Sequence, residues 1–366
     1  MKVLVSGGGT GGHIFPAVSI ANAIKKALPD TEFLFIGAIG RMEMEKVPAE
    51  GYRIIGLPVQ GFIRPLYNPK NIKVLLNLYK SIRKAKKIIG EFKPDIAVGV
   101  GGYASAAALK AANSLGVPYV LQEQNGFAGV TNQKLAKNAR KICVAYPNME
   151  RFFPADRIVM TGNPVRQSLL ECKASVEEAR EALGLDLKMP TIFVTGGSLG
   201  ARSVNESIAA GLEKLEEAGV QVLWQTGKAD GDKWKNLIAE KGIKHVLPTV
   251  FVTDMAKAYR AADIVISRSG AGAVNEICLI GKASILVPLP TAAEDHQTAN
   301  ARALSTKDAA VLIPDKEARN ILVDEAIKLV SDKARIASME EKAKSMGRFG
   351  AADTIAQIVI NEAGKK

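Results

Sequence analysis

The sequence predicts an α/β protein of two doubly wound, parallel-sheet domains, and three observations predict it. A short apolar strand, a glycine-rich loop and a helix start follow one another at Lys2–Lys26, and the succession returns around Pro94, Thr191 and Ala262. Between these units strands alternate with helical segments, the pattern of a parallel sheet covered on both faces. At 366 residues the chain is also long for a single core.

In the first unit, Val3–Val5 is too short for a helix and reads as a buried strand. Gly7-Gly8-Gly9-Thr10-Gly11-Gly12 follows, then an apolar periodic segment beginning at His13. A strand, a glycine loop and a helix start make an anion site, because the unpaired N–H groups of the first turn face whatever lies above the loop. Gly7, Gly9 and Gly12 also satisfy G-x-G-x-x-G, which raises an NAD(P)-dependent oxidoreductase as the alternative function. That fingerprint needs an acid at the end of the next strand. The strand expected at Glu32–Gly37 runs into Ala38-Ile39-Gly40 with no carboxylate, which counts against it. His13 stands where loop becomes helix. A helix N-terminus disfavours imidazolium, so His13 is expected to be neutral, as a general base or as a residue that only caps the helix.

Gly56–Pro65 reads as a loop, and a helix is expected over Asn71–Ile89. Its apolar residues Ile72, Val74, Leu75, Leu76, Leu78, Tyr79 and Ile82 occupy more than half the circumference, accompanied by Lys80, Arg83, Lys84, Lys86 and Lys87. The spare arc suits an anionic lipid surface, where each basic residue contributes about 1 kcal/mol. The alternative is an ordinary core helix with a solvated face. Next come the strand PDIAVGV, the loop Gly101–Ser105, a helix, and a strand ending at Gln122-Glu123-Gln124-Asn125. Pro164 forbids a continued helix or central strand, so the domain boundary is expected there, giving domains 1–163 and 164–347. In the second, Thr191–Thr195 leads into Gly196–Gly200, and Ala262–Ser267 leads through Arg268-Ser269-Gly270 into a helix containing Glu276 and then the strand Ser284–Pro288. Asp324–Met346 and Ala351–Glu362 read as amphipathic helices, the last crossing back to the first domain.

With 47% hydrophobic and 23% charged residues the chain is globular and not disordered. Cys143, Cys172 and Cys278 are widely spaced, with no C-x-x-C, so neither disulfides nor zinc are expected and a reducing cytoplasm fits. No signal peptide and no membrane-spanning segment are expected. The net charge of +12 is uneven: residues 1–163 hold 22 Lys+Arg against 10 Asp+Glu, and residues 164–366 hold 27 against 27. The excess suggests an acidic partner for the first half. Basic residues around an apolar helix arc, with only 5% aromatics, fit lipid better than stacked nucleic-acid bases.

Seven motifs then stand in order: GGTGGH at Gly8–His13, GGYAS at Gly101–Ser105, QEQN at Gln122–Asn125, TGNPVR at Thr161–Arg166, GGSLGAR at Gly196–Arg202, RSGAGAVNE at Arg268–Glu276 and DHQTANA at Asp295–Ala301. On these motifs the chain resembles, over essentially its whole length, the MurG family of bacterial transferases. The resemblance implies a two-domain GT-B fold whose halves face each other across a cleft. It implies an inverting transfer from UDP-N-acetylglucosamine to the 4-hydroxyl of the undecaprenyl-linked muramyl-pentapeptide, with no cofactor and no metal. It also implies a peripheral place on anionic lipids at the cytoplasmic face of the cell membrane, through residues 1–163 and a C-terminal helix at about 348–366. Thr10, Gly11, Gly12 and Asn125 would line the acceptor side. Arg166, Ser198, the backbone near Val252, Ala271, Gly272, Ala273, Val274, Asn275, Glu276 and Gln297 would contact the donor nucleotide. The chemistry agrees. An alcohol must be made nucleophilic by a base, for which His13 is the candidate, and departing UDP needs N–H groups to receive its charge. Glu276 can accept from both ribose hydroxyls, the alternative being a solvated helix carboxylate. Arg166 would pair with phosphates or form a boundary salt bridge, and Gln297 would contact the sugar or cap a helix.

Overall fold

The computed structural model describes residues 1–365 apart from 10, 62–66, 166, 198, 231, 293 and 294. Thr10, Arg166 and Ser198 therefore lie outside the described residues, as does much of the loop after Gly61. The chain forms two compact units, Met1–Arg166 with Arg348–Lys366, and Gln167–Gly347.

Unit one runs β1 (Lys2–Ser6), α1 (Gly11–Ala27), β2 (Glu32–Ala38), α2 (Glu43–Ala49), β3 (Ile54–Leu57), α3 (Lys70–Phe92), β4 (Ile96–Gly99), α4 (Tyr103–Ser114), β5 (Tyr119–Glu123), α5 (Val130–Leu135), β6 (Lys141–Val144) and β7 (Ile158–Met160). Unit two runs α6 (Gln167–Glu171), α7 (Val176–Ala182), β8 (Thr191–Thr195), α8 (Arg202–Ala210), α9 (Leu212–Glu217), β9 (Gln221–Gln225), α10 (Lys233–Glu240), β10 (Val246–Thr249), α11 (Met255–Ala261), β11 (Ile264–Ser267), α12 (Ala271–Ile280), β12 (Ala283–Leu286), α13 (His296–Ser305), β13 (Val311–Leu312), α14 (Asp315–Ser331) and α15 (Lys333–Met346). The last helix, α16 (Ala351–Ala363), belongs to unit one.

Among the described residues, unit one holds a seven-stranded parallel sheet in the order β3-β2-β1-β4-β5-β6-β7, and unit two a six-stranded parallel sheet in the order β10-β9-β8-β11-β12-β13. Sheets covered on both faces need apolar side chains on both faces, which is why the strands read as unbroken apolar runs. On one face of unit one, Val3, Val5 and Val98 pack with Ile14, Ile20 and Ile24 of α1 and with Ile355 and Val359 of α16. On the other, Leu4, Leu34 and Leu121 pack with Ile88 and Ile89 of α3 and the alanines of α4. Unit two repeats the scheme, with Ile192, Val194 and Trp224 facing α8 and α14, and Phe193, Val265 and Leu286 facing α11 and α12.

The helix expected at Asp324–Met346 is two helices. Asp332 ends the first, and its carboxylate accepts the Arg335 N–H at 2.9 Å, a cap that outcompetes a continued helix. Each sheet reverses its winding once, between β1 and β4 and between β8 and β11. Ligands of such sheets bind outside the strand C-termini at these points. The described residues of the loops after β1 and β4 meet at one, where Gly7 and Gly8 lie against residues 100–102, and the loops after β8 and β11 leave neighbouring strands at the other.

Candidate active site

In unit one, His13 occupies the first turn of α1, behind Gly11 and Gly12. Its ring lies against Gly101, where an added Cβ would stand 3.0 Å from Cε1 and 3.3 Å from Nδ1. Gly101 also has φ +97°, so both backbone and ring require glycine. His13 Nδ1 is buried and makes no hydrogen bond of good geometry among the described residues. Burial pushes the imidazole down from its ordinary 6.5. The carboxylate of Glu123, the Val100 carbonyl, the Gln124 side chain and the carboxylate of Glu43 pull the other way without reversing it. The sequence traces the neutral form to the helix end, whereas the structure traces it first to desolvation.

Asn125 follows β5, and its position is set by Glu123, which the sequence reading passes over. Glu123 is buried, and one oxygen accepts from Asn125 N at 3.1 Å and Nδ2 at 3.4 Å. The other accepts from Gly129 N at 3.0 Å and Asn132 Nδ2 at 2.9 Å. Behind this loop, Asn163 joins Gln122 and the Gln124 carbonyl at 2.8 Å each, which fastens the TGN segment to the end of β5. The first glycine loop differs from the expected open anion site. Its Gly9 N–H already donates to Glu43 Oε2 at 2.9 Å.

In unit two, the loop after β8 is closed from behind by Gln225. Its Nε2 donates to Thr195 Oγ1 and the Gly197 carbonyl at 3.1 Å each, and its Oε1 accepts the Val252 N–H at 2.9 Å. The Val252 amide is thus engaged within the protein. The α12 segment is also more divided than the motif suggests. Val274 is packed in the core, and Asn275 Nδ2 donates to the Ala271 carbonyl of its own helix at 2.8 Å. Ala271 is buried, while an added Cβ at Gly272 would meet only open space, and Ala273 is partly exposed. Across 271–276, Gly272, Ala273 and Asn275 are the partly exposed residues. Glu276 is buried and accepts from Tyr259 Oη at 3.1 Å, so it is no solvated helix carboxylate. Gln297 Oε1 accepts the Leu289 N–H at 3.0 Å, and its carbonyl accepts from Ser269 Oγ at 2.8 Å. Arg268, outside the expected contacts, donates to the carbonyls of Val287 and Pro288 at 3.1 Å each and pairs with Asp315. It ties the loop before α12 to the end of β12.

The broad apolar arc of α3 is split. Val74, Ala85, Ile88 and Ile89 are buried, whereas Ile72, Leu75, Leu76 and Tyr79 are 65%, 54%, 57% and 62% exposed. Lys80, Arg83 and Lys87 are exposed beyond them, and Lys84 Nζ donates to the Gly56 carbonyl at 2.8 Å, which removes it from a freely solvated rim. No helix among the described residues is long and apolar enough to cross a membrane.

Comparison with known proteins agrees in both units. Residues 3–144 match the glycosyltransferase family 28 N-terminal domain, and residues 191–358 match the family 28 C-terminal domain. The chain is 54% identical over 366 residues to the UDP-N-acetylglucosamine–N-acetylmuramyl-(pentapeptide) pyrophosphoryl-undecaprenol N-acetylglucosamine transferase of Parabacteroides distasonis, covering 100% of this chain and 99% of that protein. It is 51% identical over 362 residues to the transferase of the same name from Bacteroides fragilis, covering 98% and 95%. The crystal structure of Acinetobacter baumannii MurG superposes with a TM-score of 0.76 at 28% identity, covering 98% of this chain and 99% of that one. Nothing here supports the oxidoreductase alternative, and the acid nearest the end of β2, Glu43, is turned onto Gly9 and Ala38 and not toward a ribose. The fold is GT-B, and the chain belongs to glycosyltransferase family 28, among its MurG transferases.

Proposed function

We infer that this enzyme transfers N-acetylglucosamine from UDP-N-acetylglucosamine to the muramyl 4-hydroxyl of the undecaprenyl-linked muramyl-pentapeptide, converting lipid I to lipid II in peptidoglycan synthesis. The observation that carries this reading is the 54% identity along the whole chain with the Parabacteroides distasonis transferase. Unit one takes the acceptor and unit two the donor. His13, neutral because it is buried, removes the hydroxyl proton as the oxygen attacks the anomeric carbon opposite the departing UDP, which inverts that carbon. Asn125, held by Glu123, orients the acceptor sugar. The charge that develops on UDP falls on the amides of the loop after β8 and the first turn of α12, where Gly272 leaves room for close approach. Glu276 accepts from the ribose and Gln297 contacts the sugar. A thermal melt tests the donor assignment. At about 100 times Kd, UDP-N-acetylglucosamine stabilises the fold by about 2.7 kcal/mol and raises Tm by several degrees, while NADH leaves it unchanged. The reverse pattern would return the oxidoreductase reading.

The exposed face of α3 seats unit one on the anionic cytoplasmic leaflet, with Ile72, Leu75, Leu76 and Tyr79 entering the interface and Lys80, Arg83 and Lys87 meeting headgroups. Replacing those three cations with glutamine is expected to weaken sedimentation with anionic vesicles, at about 1 kcal/mol each. Wild-type binding should fall as salt rises. Binding indifferent to both changes would remove the membrane assignment.

A further inference from the structure

Glu43 is fully buried, and no step of the transfer uses it. It opens α2, and its two oxygens hold two strand ends together. Oε1 accepts the Ala38 N–H at the end of β2 at 2.9 Å, and Oε2 accepts the Gly9 N–H in the loop after β1 at 2.9 Å. Two glycines make room for it. An added Cβ would stand 2.1 Å from Oε1 at Gly8 and 2.6 Å from Cγ at Gly37. A strand, glycine loop and helix start ordinarily offer such an amide to a bound anion. Here the anion is a carboxylate of the chain itself. A phosphate placed at Gly9 would lose that amide and meet a like charge in a desolvated setting, where repulsion is weakly screened.

We propose that Glu43 is a positioning residue that latches the first glycine loop to the sheet at Gly9, fixes where the His13 helix begins, and occupies the Gly9 amide so that a phosphate is not received at that amide. Three features converge on this. The carboxylate spends both oxygens on backbone N–H groups, the neighbouring glycines are sized to it, and the loop it holds leads within four residues from Gly9 to His13.

The inference rests on His13 working at this loop, and the test separates the two. Glu43→Gln keeps the shape but turns an amide donor toward a backbone N–H. Glu43→Asp keeps the charge and withdraws it by one methylene. In Glu43→Gln, kcat is expected to fall about tenfold or more, with the KM for UDP-N-acetylglucosamine within about twofold of wild type. Hydrogen exchange at Gly8–Gly9 should accelerate, and Glu43→Asp should recover part of both. Unchanged kcat, unchanged exchange, or a donor KM that rises as kcat falls would each overturn the latch. Should Glu43→Gln fail to fold, Glu43→Asp supplies the same readouts. A measurement on the wild-type enzyme stands apart from folding. With UDP saturating, inorganic pyrophosphate should leave Gly8–Gly9 exchange unchanged, and protection there would place an anion at Gly9 and refute the proposal. Full turnover by His13→Ala would sink the base assignment alone, leaving exchange and kcat to decide for Glu43.

Discussion

His13→Ala is expected to lower turnover by about 10²–10⁴-fold, the range a general base contributes, while the donor KM stays near wild type. The split follows from placement. His13 lies in unit one, whereas the glycine loops and Glu276 assigned to the donor lie in unit two. Equal losses in both parameters would make it a binding residue. The pH dependence carries a sign. Burial sets the folded imidazole below 6.5, so the base stays neutral through neutral pH and kcat/KM should decline only as pH falls below that value. The same shift acts on stability. As pH falls through 6.5 the unfolded chain takes up the proton before the folded one, so stability drops over that window and continues to drop until the folded pKa is passed. His13→Ala should lose both the acidic limb of kcat/KM and this share of the acid sensitivity.

The parts legible in the sequence share a physical cause. Strands buried on both faces have little choice but continuous apolar residues, so TIFVT at β8 and IAVG at β4 announce themselves, and the glycines behind them mark where backbone must turn or be approached. His13 and Glu276 are singled out as candidates because glycine loops lead into their helices. Glu43, Gln225 and Arg268 are not. Each acts through hydrogen bonds across the fold, from Glu43 to a residue 34 positions away and from Gln225 to one 27 positions away, and no local periodicity encodes such a bond. Glu123 was within reach, since it stands inside QEQN beside Asn125. A polar residue at a strand end reads as exposed until the donors that surround it are known. The α3 arc is legible as an excess of apolar residues, but which part faces water depends on α4, whose alanines pack with Ile88 and Ile89 of α3 in the core.

Gly227→Ala is expected to cripple donor use although Gly227 lies outside every motif. Its φ is +83°, and an added Cβ would stand 2.1 Å from Gly200 N and 2.4 Å from the Leu199 carbonyl carbon, both backbone atoms that cannot swing aside. Gly200 is held from its own side in the same way, with φ +84° and an added Cβ 2.2 Å from the Thr226 carbonyl oxygen. The two glycines therefore lie back to back, and their contact decides how far the loop after β8, to which the donor diphosphate is assigned in the proposal, projects. Thr226 cannot retreat, because its carbonyl accepts from Asn205 Nδ2 at 2.8 Å and its N–H donates to the Thr249 carbonyl at 2.9 Å. The methyl group must instead push the loop outward by about 1 Å or more, a displacement that costs on the order of 10² in kcat/KM when it moves groups that position a substrate. Backbone strain adds about 1–3 kcal/mol of lost stability. Gly219→Ala supplies the control. Gly219 has φ +62° with nothing within 4 Å of an added Cβ, so it bears the strain without the collision. Its variant should melt earlier yet keep the wild-type kcat/KM for UDP-N-acetylglucosamine, whereas Gly227→Ala should lose both, along with the rise in Tm that the donor produces. If the two variants lose donor efficiency equally, backbone strain and not loop position governs the site, because only Gly227 touches the loop.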